Sequence, residues 1–456
     1  MANSVALDSR SLEKEALFVA LIGEKMDGHH YVKNALENGA SGALVSRLPE
    51  GFSADDSRLI IVENTEIALQ QLGIAARTRS HAKFIGVTGS VGKTGCKEML
   101  AQALATQGTI YVTKGNLNNH LGVPLTLSNM PKEVDYAIIE MGMNHAGEIA
   151  QLSGWVKPDV SIITTVDAVH IEFFDSVEAI ADAKSEIFSG MGGKGVALLN
   201  ADNPHFVRCK KHAEKAGLDR VLSFGTGADA ICKMLRYAIE DDHSVIEAQI
   251  AGTKLSYALG TIGKHWALMS VAVLGAVDAL SGDVAKAAEA FAHFVEPAGR
   301  GQIRKLTVKG GHLRLIDDSY NASPVSMRGA FDKVAEIRAA SKPPVRTLVV
   351  LGDMLELGES SQELHVGLLP SLINNQIDLV FAAGSFMRHL YDALPEAMQG
   401  AYDPTAGGLA PKVSGAIKPR DIVLVKGSHG MHMNEVVHAI EETSETFERM
   451  EAHDAI

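Results

Sequence analysis

An α/β fold is predicted: a mostly parallel central sheet flanked by helices, with a small α/β unit before it and a further α/β unit after it. Three observations predict it. From about residue 81, short apolar runs alternate with helical patterns, the arrangement of parallel strands joined by crossover helices. The stretch FIGVTGSVGKTGCK, residues 84–97, sets a glycine-rich turn between an apolar run and a helix-forming segment. A chain of 456 residues is long for one core and fits about three domains of ordinary size.

Residues 1–80 form the first unit. LFVAL (17–21), GALV (42–45) and LIIV (59–62) read as strands, and residues 31–38 as a helix. Asp8, Ser9 and Arg10, and likewise Asp27, Gly28 and His29, fall where strands give way to loops, and turn residues need no function to stand there. Residues 81–297 form the second unit. Its strands are FIGVT (84–88), TIYVT (109–113), YAIIEM (136–141), VSIITTV (160–166), VALLN (196–200) and VLSFG (221–225). Helices are expected near 97–106, 148–155, 177–191 and 205–216, then a run of alternating strands over 230–259 and helices over 266–280 and 284–294. PAGRG at 297–301 is a linker signal. Residues 298–456 repeat the α/β theme through HLRLIDDSYN, TLVVLGDM, LVFAAG and DIVLVKGS, and end in a charged helical tail at 441–456.

The turn at 89–94 carries the clearest chemistry. A strand, a tight loop and a helix start point successive backbone N–H groups and a helix N-terminus at one spot, which suits a polyphosphate. Gly89, Ser90, Val91 and Gly92 would supply the cradle, Lys93 a cation near the terminal phosphates, and Thr94 a hydroxyl for Mg²⁺. The strict phosphate-loop pattern is not met, because Val87 stands five positions before Gly92. Glu140 closes the run YAII and suits a Mg²⁺ ligand or a water-orienting group as well as it suits a helix cap. Asn144 and His145 follow it. His170 alone reads as structural, and Lys184 alone as a solvated lysine near Glu178 or Glu186.

Composition narrows the class. With 46% hydrophobic and 21% charged residues the chain is an ordinary globular one. A net charge of −13 argues against a general nucleic-acid or anionic-membrane binder. Cys96, Cys209 and Cys232 lack metal or redox spacing and read as reduced thiols of a cytoplasmic protein. The N-terminal residues show no export signal, and the most apolar segment, 266–280, is too short to span a bilayer, so no membrane insertion is expected.

Taken together, DSR, LFVALIGEKMDGHHYV, GVTGSVGKT, GNLNNHLGVPLTL, IIEMGMNHAGEI, HIEFFDSVEAIADAKSEIF, GRGQ, IDDSYNASPVSM, LGDMLELG and LVKGSHGMHM resemble, in this order, the Mur ligases of peptidoglycan precursor synthesis, over nearly the whole chain. The resemblance implies three domains: 1–80 for a UDP-sugar substrate, 81–297 for ATP, and a Rossmann-like 298–456 that closes over the nucleotide. GNLNNHLGVP and DDSYNASP point to the branch that adds D-alanyl-D-alanine to UDP-N-acetylmuramoyl-tripeptide through an acyl phosphate. A sister ligase adding one amino acid, or a catalytically silent nucleotide-gated binding protein, are the alternatives. A monomer is expected.

The resemblance also implies roles. Lys93 and the amides of 89–94 hold the phosphates, with Thr94 and Glu140 on one Mg²⁺. His170 ligates a second Mg²⁺, and Lys184 is carbamylated, which requires a neutral amine. Asn118 and Asn119 meet the phosphoryl or muramoyl region. Arg300, Asp318 and Tyr320 meet the nucleotide, as does His265. Asp8, Ser9 and Arg10, with Asp27, Gly28 and His29, face the UDP group. Asn144, His145, Asn321, Lys426 and Ser428 are the remaining substrate contacts.

Four departures from the family pattern stand out. Gly95-Cys96 follows Thr94, and a glycine there should loosen the first helical turn. His265-Trp266 and Met269 occupy the adenine segment, where stacking on Trp266 is a possible substitute. His429 stands where an arginine is usual, which should weaken dipeptide carboxylate binding as pH rises; with His432 it could be misread as a metal pair. The chain begins close to Asp8, so a smaller first domain is expected.

Overall fold

The computed structural model describes residues 2–454, with 445–454 described only as part of the final helix. The expected tail at 441–456 thus continues the helix Asn434–Asp454, and its last two residues lie outside the described residues. Three sheets organise the chain. The first has four parallel strands in sequence order, Ser4–Ala6, Ala16–Val19, Gly42–Val45 and Leu59–Ile61. A helix the sequence did not disclose, Thr65–Arg79, follows. Its packed face carries Thr65, Leu69, Gly73 and Ala76, and a Cβ on Gly73 would come within 2.9 Å of Pro124 Cα, so close approach to the helix Gly122–Ser128 depends on glycine.

The second sheet has nine strands, and each apolar run expected between 84 and 225 contributes one. Strand Lys83–Thr88 lies between Val160–Ile163 and Tyr136–Glu140, whereas the next strand in sequence, Ile110–Val112, lies at the edge. The chain leaves Lys83–Thr88 toward one edge and later crosses to its other side. That reversal opens a crevice at the carboxyl ends of the strands, where ligands bind in such sheets. Strands Cys232–Glu240, His243–Ile250 and Thr253–Leu259 finish the sheet as an antiparallel meander. Its strict inside–outside alternation over His243–Ile250 matches the pattern read at 230–259.

Both faces of this sheet are covered. Leu100 and Leu104 of the helix Lys93–Ala105 pack with Val271 and Leu274 of Lys264–Ala279 on one face. Ile139, Leu152 and Ile180 anchor the core of the other. The helix expected over 177–191 is α-helical only over Val177–Ser185 and tightens to a 3₁₀ segment, Glu186–Gly190.

The third sheet opens with an antiparallel hairpin, Gln302–Val308 and Gly311–Asp318, followed by parallel strands in the order Ile422–Lys426, Thr347–Gly352, Leu379–Ala383 and Gln399–Asp403. It meets the central sheet at polar contacts: Tyr237 Oη donates to Glu336 at 2.9 Å, and the buried Lys333 Nζ donates to Glu296 at 2.9 Å and to the carbonyl of Gly301 at 2.7 Å. Among the described residues no helix is long and apolar enough to cross a membrane.

Candidate active site

The glycine-rich turn begins at the carboxyl end of Lys83–Thr88 and ends inside the helix Lys93–Ala105. Gly89 and Gly92 both have positive φ, 147° and 87°. A Cβ on Gly89 would lie 1.9 Å from Thr164 Oγ1, so this position admits nothing larger. The loop is tied to the end of the neighbouring strand: the Ser90 amide donates to Thr165 O at 2.8 Å, and Thr164 Oγ1 donates to Val91 O at 2.5 Å. Lys93 Nζ donates to Gly89 O at 2.7 Å, which holds its charge over the loop's own amides. Desolvation, more than the opposing pull of Glu140, lowers the Lys93 pKa.

Glu140 is neither a cap nor a solvated side chain; it is 2% exposed. Its Oε2 accepts from Thr94 Oγ1 at 3.0 Å and its Oε1 from Asn118 Nδ2 at 2.8 Å. Lys97, which sequence reasoning passed over, is 1% exposed, with Nζ 4.0 Å from Glu140 and donating to Thr113 O at 2.7 Å and Gly115 O at 3.3 Å. One signal was available: Lys97 stands four positions after Lys93, on the same helix face.

Ser90 to Thr94, Asn118 and Glu140 line one cavity of about 560 Å³ together with Asn144 and His170 from the central unit and Arg300, Asp318, Tyr320 and Asn321 from the last one. The Arg300 guanidinium stacks over the Tyr320 ring at 4.1 Å. Lys426 Nζ, buried, meets Asp318 Oδ2 at 2.7 Å and donates to Asn321 O at 2.8 Å. Burial raises the Asp318 pKa and Lys426, the nearest cation, opposes it. His170 Nδ1 lies 2.5 Å from Glu356 Oε2, a contact between the central and last units, and desolvation lowers its pKa. His265, an exposed residue, also lines the cavity, and desolvation by the surrounding protein, then Lys333 and Lys426, lower its pKa. Trp266 is 5% exposed and packs as a core residue against Gly95 and Phe294, so its ring face is not open to stacking as the sequence suggested. Gly95 is itself buried under that indole.

Other expected residues stand apart from the cavity. Asn119 is exposed, and its Oδ1 accepts from the amides of Leu121 and Gly122. His145 packs edge-on against Phe173 at 5.0 Å. Ser428 is buried and its Oγ accepts from the Leu355 amide at 2.9 Å. The solvated reading of Lys184 fails: the side chain is 2% exposed, no hydrogen bond or ion pair reaches it among the described residues, and Glu186 instead accepts from the amides of Gly147 and Ala150. Desolvation first, then Lys93, holds the Lys184 amine well below its ordinary pKa.

In the first unit Asp8 grips the exposed Arg10, which holds its carboxyl at about 2, and Ser9 is buried. His29 is also buried: Nδ1 meets Asp27 at 2.6 Å and Nε2 accepts from the Ser46 amide at 2.9 Å. Gly28 packs so tightly that a Cβ would lie 2.8 Å from Leu21 N. His429 rests 5.5 Å from the Tyr320 ring, and among the described residues no cluster of His, Cys, Asp or Glu could by itself hold a metal, His429 and His432 included.

Fold and site together define a phosphate-loop nucleotide-binding protein whose cavity is shared by the central and last sheets. Residues 2–77 match the catalytic domain model of the Mur ligase family, 87–277 the Mur ligase middle domain, and 299–429 the Mur ligase glutamate ligase domain. The chain belongs to the Mur ligase family. It is 33% identical to the UDP-N-acetylmuramoyl-tripeptide--D-alanyl-D-alanine ligases of Rickettsia prowazekii, over 95% of this chain and 94% of the relative, and of Escherichia coli, over 96% and 94%. Among solved structures, MurF from Acinetobacter baumannii superposes with a TM-score of 0.84 at 28% identity, covering 96% and 93% of the two chains. MurF from Thermotoga maritima in complex with ADP does so with a TM-score of 0.83 at 25% identity, covering 98% of each.

Proposed function

We propose that the chain joins D-alanyl-D-alanine to UDP-N-acetylmuramoyl-tripeptide at the expense of ATP, a step of peptidoglycan precursor synthesis. The observation that carries this reading is the shared cavity, in which the loop 89–94, Lys93 and the Thr94–Glu140 pair face Arg300, Asp318 and Tyr320. Relatives carrying that activity in their names match over almost their full length, which favours this reading over a sister ligase or a silent binding protein.

The reaction has two displacements. A carboxylate oxygen of the tripeptide attacks the γ-phosphorus and ADP leaves; the dipeptide amine then attacks the acyl carbon, phosphate leaves, and the nitrogen gives up a proton. Lys93 and the loop amides stabilise charge on the transferring group. Arg300 and Asp318 position the nucleotide, with Lys426 fixing Asp318; Tyr320 supports Arg300 from below. Asn118 and Asn144 face the muramoyl peptide, and Asn321 the incoming dipeptide. Asn119, His145 and Ser428 serve by shaping the loops that carry these groups.

Thr94 and Glu140, a hydroxyl and a carboxylate in hydrogen-bond contact, fit a Mg²⁺ that completes its shell with phosphate oxygens and water, and His170 keeps Nε2 for a second ion. Bound there, Mg²⁺ would neutralise charge on the phosphoryl oxygens. Lys184 fits carbamylation, being a buried amine with a lowered pKa and no partner. The division at 1–80, 81–297 and 298–456 gives the first unit the UDP group, which Arg10 is placed to meet from its exposed turn while Asp8, Ser9, Asp27, Gly28 and His29 shape that surface. Working as a monomer in the cytoplasm suits ATP as substrate and three buried free cysteines.

Phosphate release with D-alanyl-D-alanine and with single amino acids as acceptors tests the reading. Turnover with the dipeptide supports it. Turnover with a single amino acid alone assigns the chain to a sister activity, and nucleotide binding without amide formation makes it a silent binder.

A further inference from the structure

The motif LGDMLELG, residues 351–358, brings a carboxylate of the last unit to the shared site. It runs from the end of strand Thr347–Gly352 into a loop that is pinned at successive positions. Buried Asp353 accepts from the amides of Phe386 and Met387 at 3.2 and 2.7 Å, the Met354 amide donates to His365 Nε2 at 2.9 Å, and the Leu355 amide donates to Ser428 Oγ at 2.9 Å. Leu357 returns to the core at 3% exposure. Between them Glu356 has a φ of 61°, a left-handed conformation that residues other than glycine seldom adopt. Backbone held in such a conformation by a rigid surround is a feature of functional sites.

His170 faces this loop from the central unit, and the two segments are packed together. Ile171 lies against the core of the last unit that contains Met354 and Leu357, and a Cβ on Gly358 would lie 3.6 Å from Glu172 Cα. His170 Nδ1 stands 2.5 Å from Glu356 Oε2, and neither side chain makes another hydrogen bond or ion pair among the described residues. A carboxylate only accepts, so the proton of the neutral imidazole is drawn to Nδ1. The lone pair is then on Nε2, free to ligate a divalent cation. Without that acceptor the ring can carry its proton on Nε2, which blocks ligation there.

We propose that Glu356 is a positioning residue for the cation at His170. Supplied by the last unit, it fixes the tautomer of a histidine on the central one, so the second cation site is complete only when the two units are docked as they are here. This rests on the reading that His170 ligates a metal ion in ATP-dependent ligation.

The test is Mn²⁺ binding to the full chain in the presence of a non-hydrolysable ATP analogue, followed by electron paramagnetic resonance. Wild type should bind two ions. Glu356→Ala should weaken one of them by about 10- to 100-fold and leave the ion at Thr94 and Glu140 unchanged, while Glu356→Gln, whose amide oxygen still accepts from Nδ1–H, should bind more tightly than Glu356→Ala. His170→Ala/Glu356→Ala should bind no more weakly than His170→Ala alone, because Glu356 acts through the ring. Two unweakened ions in Glu356→Ala, equal weakening of both, or a Glu356→Gln no better than Glu356→Ala overturns the proposal. A double variant weaker than His170→Ala also overturns it, since Glu356 would then be a ligand itself. A single ion in wild type overturns the assignment of His170 as a ligand, and the proposal with it.

A second measurement reads the tautomer without metal. Long-range ¹H–¹⁵N NMR of the full chain with the ATP analogue, under mildly alkaline conditions, identifies His170 as the imidazole signal that His170→Ala lacks. Its proton should sit on Nδ1 in wild type and shift toward Nε2 in Glu356→Ala. A proton on Nε2 in wild type, or a tautomer that ignores the substitution, overturns the proposal.

Discussion

Lys97→Met removes a buried cation beside Glu140 while keeping most of the aliphatic stem. Lys97 and Glu140 are both almost wholly buried, 1% and 2% exposed, with Nζ and Oε2 4.0 Å apart. At an effective dielectric of about 20 a unit pair at that distance attracts by roughly 4 kcal/mol, and removing one partner of a buried pair costs about 3–5 kcal/mol. The second contact of Lys97, Glu98 at 3.1 Å, reaches a carboxylate whose side chain is 43% exposed and adds little. A loss of about 3 kcal/mol is expected. Much of it is the cost of leaving Glu140 charged without its cation, so Lys97→Met/Glu140→Gln should recover about 2 kcal/mol relative to Lys97→Met. The assay is urea unfolding followed by the fluorescence of Trp155 and Trp266, both on helices packed against the central sheet. If the two substitutions add, with coupling below about 0.5 kcal/mol, Lys97 does not act through Glu140 and the reasoning fails.

Gly95→Ala should destabilise by about 1–3 kcal/mol through overpacking against Trp266, and Gly95→Ala in a Trp266→Leu background should cost markedly less; an equal cost in both backgrounds would show that the two positions are not coupled. Lys184→Ala should abolish ligation, with partial recovery in added short carboxylates, while carbon-13 NMR with labelled bicarbonate should show a carbamate signal in wild type that the variant lacks; full activity without additive contradicts the role. Buried His365 donates from Nδ1 to Ser361 O and accepts at Nε2 from the Met354 amide, a neutral tautomer, and desolvation lowers its pKa. The unfolded chain therefore binds the extra proton first, so stability should fall as pH drops below about 6.5, by at most about 1.4 kcal/mol per unit. His365→Asn should flatten that slope in urea titrations between pH 7 and 5; an unchanged slope would place the proton elsewhere.

What was legible in the sequence is what local chemistry determines. The turn at 89–94 announces itself because positive φ at Gly89 and Gly92 demands glycine, and the buried strands of the central sheet are continuous apolar runs. Strands Gln302–Val308 and Gln399–Asp403 went unseen because each lies at a sheet edge and mixes polar with apolar residues. Helix Thr65–Arg79 was hidden because its packed face carries one large apolar residue, Leu69, beside Thr65, Gly73 and Ala76. The Lys97–Glu140 contact needs carbonyls delivered by a distant loop, and the Gly95–Trp266 contact needs two helices to meet. Resemblance supplied Lys184 and His170, which residue chemistry alone read as solvated and structural. Asp27 and His29 show the converse: turn chemistry accounts for the contact between them, while Ser46 and Arg47 from the next strand's end supply the rest.

The most direct measurement is oxygen transfer from substrate to product. UDP-N-acetylmuramoyl-tripeptide labelled with ¹⁸O in its terminal carboxylate is turned over with ATP and D-alanyl-D-alanine, and the released phosphate is weighed by mass spectrometry. Formation of an acyl phosphate across the shared cavity requires one labelled oxygen in each phosphate. Unlabelled phosphate would mean that water, not the peptide carboxylate, takes the phosphoryl group.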